Sequence, residues 1–172
     1  MCDFWRWGGA VLLEANEEGN GLKDAILRGD GSGRHFLNMA AGGSLKPTTV
    51  ETVAAREHFV FQDGRPVFKA AVKGMTTTTS ELLERNNLTK EDIDWLIPHQ
   101  ANIRIIKSVA STLDFPMEKV VVNIEKYGNT TAGTLPLCLW DYESKFKKGD
   151  KIILTAFGGG FTWGSTFLTW AY

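Results

Sequence analysis

Three loops carry the residues whose chemistry could be combined. His99 follows Pro98, where the apolar run Trp95-Leu96-Ile97 stops and an amphipathic pattern begins. Asn129 stands in Tyr127-Gly128-Asn129-Thr130-Thr131, and Gly158-Gly159-Gly160 lies between two apolar stretches near the C-terminus. A neutral imidazole N–H and a primary amide can both donate to one oxygen. Donors fixed around an oxygen that is turning into an enolate or oxyanion often give the largest share of catalysis. Glycines let backbone N–H groups approach with no side chain in the way, and could form a second such hole. The set lacks a nucleophile. Taken alone, His99 would be an ordinary loop histidine.

The elements that must position these residues follow from the pattern of apolar side chains. Residues 94–97 read as a short buried strand ending at His99, and Ile103, Ile106, Ala110 and Leu113 then recur at helical spacing until Phe115-Pro116. Residues 119–124, β-branched and apolar, are the clearest strand in the sequence. After the Asn129 loop a helix carries Leu135, Leu139, Tyr142 and Phe146, with Pro136 in its first turn, where its missing N–H costs little. A strand at 151–156, the loop 157–161 and a closing strand at 163–172 complete the chain. This alternation predicts parallel pairing with right-handed crossovers, so that the three strand ends face the same way. Ligands gather at such carboxyl ends.

The first half is less regular. Residues 8–14 read as a short buried strand and 23–27 as another, separated by glycine-rich turns. Phe68, Ala71, Met75, Thr78 and Leu82 mark one face of a long helix that starts near Pro66 and stops at Asn86-Asn87. Thr76 to Thr79 are poor helix formers, so packing must hold that segment. Thr89-Lys90-Glu91-Asp92 has the form of a capping box.

Pro98-His99-Gln100-Ala101-Asn102-Ile103-Arg104, Tyr127-Gly128-Asn129-Thr130-Thr131 and Ala156-Phe157-Gly158-Gly159-Gly160-Phe161-Thr162-Trp163-Gly164-Ser165, in this order, resemble the C-terminal half of 3-oxoacyl-[acyl-carrier-protein] synthase III. The resemblance implies an α/β chain, the C-terminal half of a thiolase-like αβαβα layered fold with a mostly parallel sheet and helices, pairing as dimers. Residues 8–172 would form that half-domain and 1–7 an atypical start, because Trp5-Arg6-Trp7 stands where the family has small turn residues. It also implies the start of fatty-acid synthesis, a decarboxylative condensation of acyl-coenzyme A with malonyl-acyl-carrier protein that needs no cofactor and no metal. By resemblance His99 and Asn129 hold the malonyl thioester carbonyl as it becomes an enolate. Gly159 offers a backbone N–H to the acyl oxyanion, and Phe157 flanks the centre. Gln100, Ala101, Asn102, Ile103 and Arg104 belong to the carrier-protein and coenzyme A contact, with Asn102 in the pantetheine tunnel and Arg104 as the positive charge.

The family's nucleophilic cysteine lies in a preceding half, and neither Cys2 nor Cys138 matches it. The expectation is therefore a truncated acyltransferase, inactive alone, whose partners are an acyl-carrier protein, a coenzyme A thioester and either the other half or a second copy. Its alternative is a non-catalytic piece that binds a carrier protein or a partner half. A new Cys-His-Asn hydrolase site is a third reading.

Composition narrows the remaining classes. With 19 basic and 20 acidic residues and a net charge of −1, no basic block marks a nucleic-acid surface. Two distant cysteines suggest neither a disulfide framework nor a zinc site and fit a reducing, cytoplasmic setting. The only early apolar run, residues 8–13, is too short for a signal peptide or a membrane span.

Overall fold

The last strands of the chain form the middle of its main sheet. In the computed structural model, which describes residues 8–172, β5 (Lys151–Gly158) and β6 (Thr162–Thr169) pair antiparallel across the glycine turn. β1 (Gly21–Gly29) lies antiparallel on the far side of β6, and β4 (Trp95–Pro98) lies parallel to β5, giving the order β1-β6-β5-β4. β2 (Leu37–Met39) and β3 (Val60–Gln62) form a separate antiparallel pair, with the short helix α1 (Val50–Ala54) between them.

Adjacent residues of a strand face opposite sides of a sheet, and here each side has its own core. Leu96 of β4 and Ile153 of β5 pack with α2 (Gly64–Arg85) and α3 (Ile103–Thr112). Ile97 and Ile152, one residue away on the same strands, pack with Cys138, Leu135 and Leu139 of α5 (Thr134–Tyr142). The chain is thus a sheet layered between helices, in keeping with the expected α/β class. The long helix falls where its spacing placed it, with Val67, Ala71, Met75, Leu82 and Leu83 buried and Asp63 capping its start. Thr89 and Asp92 form the expected capping box.

The threonine run of α2 is held by a buried hydroxyl network. Thr78 and Thr79 lie 2.8 Å and 3.0 Å from Ser165 Oγ, which donates to Thr155 Oγ1 at 2.9 Å. Polar side chains within a core need such partners, and here they join the helix to β5 and β6.

Two expected strands are not strands. Residues 8–14 have no regular structure, and Leu12 is 85% exposed. Among the described residues no neighbouring strand lies beside them, and an extended segment is held by its neighbour's hydrogen bonds. Residues 119–124 make one parallel bridge, Val120 to Leu96, before turning into α4 (Ile124–Tyr127). Their β-branched side chains are chosen for burial; Val121 is fully buried. With that strand missing from the ladder, β4 and β5 are the parallel pair, and β1 and β6 join the sheet antiparallel. No helix of the described residues is long and apolar enough to cross a membrane. Residues 1–7, including Cys2 and the aromatic start, lie outside the described residues.

Candidate active site

A cleft of about 1300 Å³ opens at the carboxyl ends of β4 and β5, bounded on one side by the N-terminal part of α2. His99, Ala101, Asn102, Arg104, Asn129, Phe157 and Gly159 all line it. The two strands fix the histidine's backbone, because His99 N–H donates to Thr155 O at 2.8 Å and so extends the β4–β5 ladder by one residue. Its imidazole has no side-chain hydrogen bond among the described residues, and burial pushes its pKa down to about 4. At neutral pH it is uncharged, so one ring nitrogen donates and the other accepts.

Asn129 is oriented by its own loop. Its Oδ1 accepts from Thr131 N–H at 3.0 Å, which leaves the NH₂ group as the donor on the cleft wall. The loop is anchored through α4 and α5: Asp141 accepts from Asn123 Nδ2, Lys126 Nζ and Tyr127 OH. Burial raises the pKa of this carboxyl, but those hydrogen bonds outweigh it and hold the group below its ordinary range.

The third loop contributes shape. Phe157 is buried against the Phe161 and Trp163 rings, at centroid distances of 4.9 Å and 6.5 Å. Gly159 faces the cleft, and a Cβ there would lie 3.4 Å from Leu37 O, close enough to press on β2. At the mouth, Asn102 caps α3 by accepting from Arg104 N–H at 2.8 Å. The Arg104 guanidinium sits 5.7 Å from the centre of the Phe68 ring, a cation–π distance.

Gln100 and Ile103 stand apart from the cleft lining. Gln100 was expected in a carrier-protein or coenzyme A contact, yet it is only 1% exposed and its side chain bonds inward. A buried amide with every hydrogen bond made inside the chain presents no contact surface. Ile103 opens α3 and packs against the core below.

Sequence reasoning missed Phe68, Met75 and Trp163 as cleft walls. The helical spacing that identified Phe68 and Met75 gives the face of a helix but not what lies opposite it. Cys138 is fully buried, donates to Asn123 Oδ1 at 3.2 Å, and has its thiol pushed up to about 12 by burial and by Asp141. A thiol so held is not a nucleophile at neutral pH, which removes the hydrolase reading for Cys138. Among the described residues no group of three or more His, Cys, Asp or Glu is placed to hold a metal ion.

Over residues 83–170, more than half its length, the sequence matches the family described as 3-oxoacyl-[acyl-carrier-protein (ACP)] synthase III C terminal. It is 54% identical over 163 residues to a beta-ketoacyl-[acyl-carrier-protein] synthase III of Phocaeicola vulgatus, covering 95% of this chain and 49% of that protein. Identity is also 54% over 169 residues to a beta-ketoacyl-[acyl-carrier-protein] synthase III of Porphyromonas gingivalis, covering 98% and 50%. The crystal structure of 3-oxoacyl-[acyl-carrier-protein] synthase III from Aquifex aeolicus superposes with a TM-score of 0.79 at 35% identity, covering 91% of this chain and 46% of that one. The chain spans about half the length of the curated relatives it matches.

Proposed function

Because the chain belongs to the 3-oxoacyl-[acyl-carrier-protein] synthase III C-terminal family, we propose that residues 8–172 form the half of such a synthase that stabilises the enolate in a decarboxylative condensation. One observation carries this reading: an uncharged imidazole and an oriented amide donor, His99 and Asn129, line the same cleft. The malonyl thioester carbonyl would accept from both while its carboxylate leaves as carbon dioxide. The electron pair of the broken bond passes into the enolate, and the two N–H donors hold the oxygen that gains charge. The enolate carbon then attacks an acyl group carried on a cysteine, expelling the thiolate and giving 3-oxoacyl-acyl-carrier protein. Gly159 N–H would serve the acyl oxyanion, with Phe157 flanking the centre.

The substrates on this reading are an acyl-coenzyme A and malonyl-acyl-carrier protein, with no resident cofactor. Ala101, Asn102 and Arg104 would meet their phosphopantetheine arm and the carrier surface; Arg104 is exposed at the cleft mouth. The acyl-accepting thiol would come from the other half of the synthase, since Cys138 is sealed in the core. Alone, the chain would therefore not condense. A cytoplasmic, dimeric synthase belongs to the same reading.

A second reading, a non-catalytic piece that binds a partner half, draws on the exposed side chains Phe59, Val60, Phe61 and Leu27. Activity separates the two. Adding the N-terminal half of a related synthase to this chain should restore condensation of acetyl-coenzyme A with malonyl-acyl-carrier protein. Asn129→Asp should lower that rate about 100-fold or more, because its carboxylate keeps an acceptor for Thr131 N–H but has lost the NH₂ donor. A complemented complex that is fully assembled yet inactive would leave the binding reading.

A further inference from the structure

Gln100 lies next to His99 in sequence, and its amide is fully hydrogen-bonded. Nε2 donates to Pro98 O at 2.7 Å and to Val121 O at 3.1 Å. Oε1 accepts from Asn123 N–H at 3.0 Å and from Ile124 N–H at 3.2 Å. A primary amide has two N–H donors and two lone pairs, and each is used. The orientation is forced, since two N–H groups face Oε1 and two carbonyls face Nε2. The Gln100 backbone N–H donates to Thr134 Oγ1 at 2.8 Å.

These five bonds connect three places. Pro98 precedes His99; Asn123 and Ile124 begin α4, which leads into the Asn129 loop; Thr134 begins α5, which leaves it. The Asn129 loop is therefore pinned at both ends to the histidine corner, and both pins are groups of Gln100. Within residues 119–124, Val121 N–H still donates to Leu96 O of β4 at 2.9 Å, whereas Val121 O, Asn123 N–H and Ile124 N–H turn to the Gln100 amide.

We propose that Gln100 is a positioning residue that fixes the distance and angle between the His99 and Asn129 donors by clasping the Asn129 loop to the β4–α3 corner. The inference rests on the enolate-binding reading for its catalytic consequence, but the clasp itself is a statement about geometry. Misplacing a reacting group by about 1 Å can cost about 100-fold in rate, so loosening the clasp should act on turnover more than on substrate affinity.

The test uses the intact chain for geometry and the chain complemented by the N-terminal half of a related synthase for turnover. Gln100→Glu keeps the acceptor for Asn123 and Ile124 but sets an oxygen against the Pro98 and Val121 carbonyls. Thr134→Val cuts only the bond to α5, and Leu83→Ala, at the C-terminal end of α2 in the core on the other side of the sheet from α5, controls for lost stability. The Asn129 side-chain amide and His99 ring signals, read by NMR, should both move in Gln100→Glu and Thr134→Val and stay in place in Leu83→Ala. With malonyl-coenzyme A as probe, carbon dioxide release by the complemented chain should show kcat lowered about tenfold or more and KM changed less than about threefold.

Unmoved Asn129 and His99 signals in a folded Gln100→Glu protein would overturn the proposal; where that variant does not fold, unmoved signals in Thr134→Val would do so. Signals that move while kcat stays at the wild-type value would also overturn it. A wild-type complex that releases no carbon dioxide would count against the enolate reading instead, and the NMR comparison would still decide whether the clasp exists.

Discussion

Burial keeps the His99 imidazole uncharged down to about pH 4, whereas in the unfolded chain a histidine takes up a proton near pH 6.5. Between those values the unfolded state binds more protons than the folded one, so acid favours unfolding. The contribution of this residue is intact above about pH 6.5 and is lost progressively as the pH falls toward about 4. Urea midpoints measured at pH 7 and pH 5 should therefore converge in His99→Gln relative to the wild type, and an unchanged gap would contradict the assignment. At this scale the sequence was informative about residue type and poor about direction. That His99 and Asn129 meet at one cleft was legible from the order of their loops, although only His99 follows a strand and Asn129 follows α4. Gln100 was not, because its inward turn depends on Val121, Asn123 and Ile124, more than twenty positions further along.

Elements were legible where apolar spacing and local signals agree. Helices α2 and α3 show their buried faces in the sequence, and the Thr89–Asp92 capping box needs only four consecutive residues. Residues 119–124 and 8–14 misled for one reason: apolar content reports burial, or the availability of a partner, and not the partner itself. The threonine run of α2 shows the opposite case, in which poor helix propensity pointed to packing that the structure supplies. Removing the hub of that network with Ser165→Ala leaves Thr79 without its buried partner and should cost about 1–3 kcal/mol. Thermal unfolding reads this directly, and a loss below about 0.5 kcal/mol would mean that the hydroxyls find other partners.

For the molecule as a whole, the exposed apolar side chains decide behaviour in solution. Leu12, Leu13, Leu22, Leu27, Leu45, Val50, Phe59 and Phe61 are all exposed, and β1 has one edge unpaired within the described sheet. Large exposed apolar areas drive association, and an open strand edge offers a further route. The isolated chain should therefore migrate as dimers or larger species in light scattering at micromolar concentration, with Leu27→Lys and Phe61→Lys shifting it toward monomer. A monodisperse wild-type monomer would contradict this. A sheet with helices on both faces was legible from alternation, but its pairing was not, since β1–β6 and β5–β6 are antiparallel and only β4–β5 is parallel. The position of β1 was not, because its pairing with β6 spans nearly the whole chain.

That pairing has a consequence for how the protein is made. β6 stands between β1 and β5, so the sheet cannot close until the final strand has been synthesised. Until then β1 has no partner in the sheet, and contacts between distant residues form slowly. Stop codons placed before Thr162 should yield nascent chains that chaperones and proteases capture, whereas stops after Trp170, whose backbone bonds to Gly149 and Asp150, should yield more protease-resistant product in pulse-chase translation.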